Sequence, residues 1–75
     1  MKRSDTVKLL GGEYVWIDTC YTFDHGYETM VFKCDENGNV ENWMDLDCDR
    51  YSSQQAAIEG HDNMVEKWKN RWTLI

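Results

Sequence analysis

Tyr27-Glu28-Thr29-Met30-Val31-Phe32, followed after a loop by Arg50-Tyr51-Ser52-Ser53 and then by Ala57, Gly60, His61, Met64, Val65 and Trp68, decides how this chain is read. The first stretch mixes aromatic, β-branched and polar residues as a half-buried strand does. Without Gly60 and extended to Trp72, the last set recurs at i, i+4, i+7, i+8, i+11 and i+15, which is one face of a helix. Ser52 or Ser53 starts the helix, Ser52 with Gln55 three residues on fits a capping box, and the helix is expected over residues 52–72. Gly60 costs such a helix up to about 1 kcal/mol relative to alanine, and its place beside the stripe is explained by close packing on a sheet.

Upstream of this unit, Glu13 to Phe23 alternates. Val15, Ile17, Thr19, Tyr21 and Phe23 fall on one side, expected inward; Tyr14, Trp16, Asp18, Cys20 and Thr22 fall on the other. Asp24-His25-Gly26 turns the chain. In the next strand, Met30, Phe32 and Cys34 are expected inward, with Thr29, Val31 and Lys33 outward. Asn37-Gly38 within Asp35–Asn39 is a hairpin signal. Val40 to Asp49 alternates again, with Val40, Met44, Leu46 and Cys48 inward and Glu41, Trp43, Asp45, Asp47 and Asp49 outward. The fold class is therefore α+β: an antiparallel three-stranded meander with one C-terminal helix packed on one face. Val7–Leu10, before the Gly11-Gly12 turn, is either an ordered arm or a fourth, short N-terminal strand. All of 1–75 forms a single small domain: 1–12 arm or edge strand, 13–49 sheet, 52–72 helix. The expected core is Val15, Ile17, Met30, Phe32, Met44, Leu46, Ala57, Met64, Val65 and Trp68.

Chain length limits stability. A domain of 75 residues buries only about 60% of its unfolded surface, so a few kcal/mol is expected. A hydrophobic content of 41% argues for a folded core. No apolar run approaches the ~20 residues that span a membrane, and the start lacks the apolar stretch of a signal peptide. The three cysteines, Cys20, Cys34 and Cys48, form no C-x-x-C pair, and their odd number points to free thiols in a reducing cytoplasm.

The net charge of −6 is unevenly spread. Residues 13–49 hold ten acids and Lys33 as their one base, while the two ends together are basic. An acidic middle repels nucleic acid and favours a basic partner, although acidity also serves solubility alone.

The motifs of enzyme chemistry are weak. Asp35-x-Asn37-x-Asn39 resembles the start of a calcium loop, but Val40 and Leu46 stand where that loop needs Gly and Glu. Asp24, His25 and Cys20 do not give four converging zinc ligands. His61 lies on the apolar stripe with no evident nucleophile, so it reads as a buried or boundary imidazole bonded to backbone or tyrosine. Lys67, Lys69 and Arg71 complement the helix C-terminus. No cofactor is expected. What stands out is the outward sheet face, where Tyr14, Trp16, Asp18, Trp43, Asp45 and Asp47 place two tryptophans beside acids. Such aromatics are enriched in binding hot spots, though they also shield neighbours across strands.

Glu28-Thr29-Met30-Val31-Phe32, Arg50-Tyr51-Ser52, Ala57, Gly60-His61 and Met64-Val65 resemble a family of small uncharacterised bacteriophage and prophage proteins. The resemblance covers Glu28 to Val65. It implies a phage origin and the same sheet-and-helix shape, and carries no activity. The expected function is a small acidic, non-enzymatic interaction protein of the host cytoplasm. It would bind a host protein with a basic surface, as a host-factor or defence inhibitor, without direct nucleic-acid or membrane binding. The alternative is a self-associating accessory protein whose homodimer buries Trp16 and Trp43. A metal-dependent enzyme using Asp24 and His25 comes third.

Overall fold

A computed structural model describes all residues 1–75. The chain is α+β: strands β1 (Lys2–Lys8), β2 (Tyr14–Thr22), β3 (Gly26–Cys34) and β4 (Asp47–Tyr51) precede one helix, α1 (Gln54–Lys69). The strands form a single antiparallel sheet in the order β1-β2-β3-β4. The meander and C-terminal helix are those expected, but the sheet has four strands, and the N-terminal arm is a full edge strand. It starts at Lys2 rather than Val7 because Lys2–Lys8 pairs residue for residue with Tyr14–Cys20.

The helix covers the face of the sheet that carries Val7, Val15, Ile17 and Val31. These join Leu9, Met64 and Trp68 in the core, with Val65 and Leu74 packed against it. Ala57, His61, Met64 and Trp68 are the buried helical residues, as the stripe requires. Trp72 is not among them: the helix ends at Lys69, and the tail folds back so that the Leu10 N–H donates to the Arg71 carbonyl. Of the two expected starts the N-cap is Ser53 rather than the capping-box Ser52, and its hydroxyl accepts from the Ala56 N–H. Gly60 is required for contact. A Cβ there would coincide with the ring of Tyr51, so β4 and α1 approach closely only because that atom is missing.

Two strand readings are corrected. In β3 the phase is reversed: Thr29 and Val31 face the helix, while Met30, Phe32 and Cys34 face away. The cause is register. Opposed residues of an antiparallel pair share a face, and Ile17↔Val31 and Thr19↔Thr29 are such pairs. Tyr21 and Phe23 lie beyond the helix's reach and are exposed.

The second correction concerns residues 40–49. Asp35 accepts from the Asn37 and Asn39 N–H groups and from the Asn39 side chain, fixing the expected turn. Cys34↔Val40 then begins a pairing. The chain leaves β3 after Glu41, whose N–H donates to the Lys33 carbonyl, and rejoins where the Leu46 N–H donates to the Val31 carbonyl. The intervening residues bulge out, so Met44 and Leu46 are exposed rather than core, and regular pairing waits until Asp47. Cys48 pairs with Met30 and so shares the row of β3 that faces away from the helix; it is exposed, whereas Cys34 in that row is buried.

Candidate interaction surface

The helix-free face of the sheet is built by β2 and β3 and roofed in part by the 35–46 loop. Trp16 and Phe32 stack with centroids 6.3 Å apart. Trp43, swung over by the bulge, meets both rings edge-on, at 6.2 Å from Trp16 and 5.1 Å from Phe32. This is why Phe32 is 7% exposed although no helix covers it. The tip of the same loop reaches β1, where the Thr6 hydroxyl would collide with any Cβ on Gly38.

The structure gathers Tyr14, Trp16 and Trp43 on this face and puts Asp18 and Asp45 at its margins. Tyr14 and Trp16 are half-buried, with the Lys8 ammonium 5.9 Å from one ring and the Lys2 ammonium 5.4 Å from the other. Asp18 is engaged by Lys2 at 2.6 Å, so its charge is compensated. Trp43 is 67% exposed and Met44 75%, with Asp45 exposed beside them.

Asp47 does not belong to this surface. Its side chain points to the helix, accepting from Lys67 at 2.7 Å and from the Trp68 indole N–H at 3.1 Å. Partial burial works against its ionised form, but the hydrogen bonds from Lys67 and Trp68 prevail and hold the carboxyl below its ordinary range. Register carries the reason. Asp47 pairs with Val31 and shares its helix-facing row, so the reversed phase of β3 carries into β4, while Asp45 lies in the bulge and leaves the alternation.

A polar cluster lies under the helix. His61 is fully buried, with Nδ1 2.6 Å from the Thr19 hydroxyl and Nε2 2.7 Å from Asp5. The Thr19 hydroxyl is also hydrogen-bonded to that of Thr29. The imidazole is buried as expected, but its partners are Thr19 and Asp5 rather than backbone or tyrosine. A carboxylate, an imidazole and a hydroxyl in sequence have the order of a hydrolytic triad. Here Thr19 and His61 are closed to any substrate, and the arrangement satisfies buried polar groups. Asp5 and Thr19 were legible only indirectly: a threonine in an inward row demands a partner, and His61 was the polar residue on the facing stripe.

The Tyr51 hydroxyl lies at the end of this row, buried and without hydrogen-bond geometry to a partner. Burial raises its pKa, and neighbouring Thr29 acts in the opposite direction. Asp24 and His25 sit together at the exposed β2–β3 turn, and no group of three or more His, Cys, Asp or Glu side chains converges as metal ligands. No helix is long and apolar enough to cross a membrane. Comparison with protein-family models, with curated proteins and with solved structures returned no significant match.

Proposed function

We propose that the chain is a small acidic, non-enzymatic interaction protein that binds a basic protein surface through the helix-free face, centred on Trp16, Trp43 and Asp45 and flanked by Tyr14 and Asp18. The supporting observation is Trp43. A large ring is held by two aromatic neighbours yet left 67% exposed, next to exposed Met44 and Asp45. A fixed, solvated aromatic loses little conformational freedom when a partner covers it, which is the property of a hot-spot residue. The acidic segment around it supplies attraction for basic groups. Asp47 is left out of the site because its carboxylate already serves Lys67 and Trp68.

The resemblance to phage proteins makes the partner a host protein met in the host cytoplasm, a host factor or a defence component. The test is capture from host lysate by immobilised wild type, Trp43→Ala and Asp45→Lys, with circular dichroism on each. The reading requires both variants to fold and to lose capture, and wild-type capture to weaken with added salt. Equal capture by folded Trp43→Ala would refute it. If that variant instead turned a dimer into a monomer, the face would serve self-association.

A further inference from the structure

The two edges of the sheet are finished differently. In β1 the odd-numbered residues bond to β2: the Met1 carbonyl accepts from the Tyr21 N–H, and the Leu9 N–H donates to the Glu13 carbonyl. By the alternation of an antiparallel ladder, the N–H and C=O groups of Lys2, Ser4, Thr6 and Lys8 point away from the sheet. In β4 the corresponding outward donors are closed by the strand's own side chains. The Cys48 N–H donates to Asp47 Oδ1 at 2.9 Å, and the Arg50 N–H to Asp49 Oδ1 at 3.0 Å. Self-capped donors and acidic side chains protect an edge from further pairing. The longer edge, β1, has no such caps.

We propose that two copies of this chain join through β1, antiparallel about a two-fold axis at Ser4, to form one continuous sheet. The occupant and its register follow from charge. Outward-pointing residues must face outward-pointing residues, which leaves only even-to-even pairings. A register centred on Asp5 sets Asp5 against its own copy and Lys2 against Lys8 twice over, three like-charge contacts that disfavour it. A register centred on Thr6 offers no charge pair. Centred on Ser4, the pairing sets Arg3 against the second copy's Asp5 twice over, and Lys2 against Thr6, with no like charges opposed.

The groups needed are free to act. Asp5 is half-exposed; its Oδ2 serves His61 and lies 3.9 Å from the Arg3 Nε of the same strand, which leaves Oδ1 open. The Arg3 guanidinium has five donors, of which Asp62 takes one at 2.6 Å. Lys2 is neutralised by Asp18, so it adds little repulsion. A symmetric contact of this kind is closed and produces a dimer rather than a fibre. It leaves the aromatic face uncovered and presents two of them on the same side, so it is independent of the surface assigned above.

Disulfide trapping reads the register directly. At the two-fold, the two Ser4 residues form a hydrogen-bonded pair with Cα atoms about 5.5 Å apart, within the span of a disulfide. Under mild oxidation Ser4→Cys should cross-link into covalent dimers, while Lys2→Cys, with the same three native thiols, stays at the wild-type background. Sedimentation should give twice the monomer mass for wild type. Arg3→Glu, which sets a carboxylate against the second copy's Asp5, should shift it to monomer with its circular dichroism unchanged. A wild type that remains monomeric across the concentration range overturns the proposal. So does a dimer in which Lys2→Cys links as fast as Ser4→Cys, or one that Arg3→Glu leaves intact.

Discussion

The two faces of the sheet are sealed by different means. On one, a sixteen-residue helix lays Ala57, His61, Met64 and Trp68 over Val15, Ile17 and Val31. On the other, a single loop drops Trp43 onto Trp16 and Phe32. The first seal is continuous and its members are closed to solvent. The second is a lid one ring wide, and that ring remains largely in water. One side can therefore carry the stability of a chain this small while the other stays available.

The largest expected effect separates the faces most sharply. Trp68→Ala should cost about 3–5 kcal/mol, because it empties the core and leaves Asp47 without its indole donor. For a domain with a few kcal/mol in hand, that is close to complete unfolding, visible as loss of helical circular dichroism at room temperature. A native melting curve would mean that the helix face is not the core.

Gly60→Ala comes next. The new methyl must displace the Tyr51 ring, at a cost of roughly 1–3 kcal/mol for overpacking. Gly60→Ala in a Tyr51→Ala background should recover much of that loss, since the obstacle is gone. Failure to recover would put the cost in the backbone rather than in the ring.

Acid stability sharpens the same contrast. Asp47 is held below its ordinary value of 3.8 in the folded chain. A depressed carboxyl contributes stability that is present above the unfolded value and is lost as pH falls through the folded one. Melting temperature should thus drop below about pH 4 in wild type, and part of that drop should vanish in Asp47→Asn. Asp45→Asn, on the outer side, should leave the wild-type profile unchanged.

Thiol reactivity gives the smallest effect and tests the outer layer alone. Burial, then Asp35 and Glu41, push the Cys34 thiol up to about 11, so it should be the last of the three cysteines to react in the folded protein. Trp43→Ala should quicken it by opening the lid. Cys34 reacting first in wild type would mean that the loop does not cover this face.

How much of this was legible in the sequence follows from what each pattern depends on. Helix α1 was readable because its stripe is set by 3.6-residue periodicity within one segment, and Gly60 announced a close approach. The inward row of β2 was readable for the same local reason. The phase of β3 was not, since Met30-Phe32-Cys34 and Thr29-Val31 are both plausible inward rows, and only pairing with Ile17 and Thr19 decides. The buried threonines made the true row look too polar, because their partner, His61, is distant in sequence. Of the candidate site, Tyr14, Trp16 and Asp18 were read on the correct face, as β2 is regular. Trp43 reaches that face through the bulge rather than along a strand. Asp47 was misplaced with the phase of β3, since it pairs with Val31 and shares that residue's helix-facing row.

Urea unfolding of Trp43→Ala, followed by circular dichroism beside wild type, tests most directly whether the two faces differ as described. The lid account gives a loss under about 1 kcal/mol, within the range for truncating a mostly solvated side chain, with an unchanged slope. A loss approaching that of Trp68→Ala would make Trp43 part of the core and contradict the account.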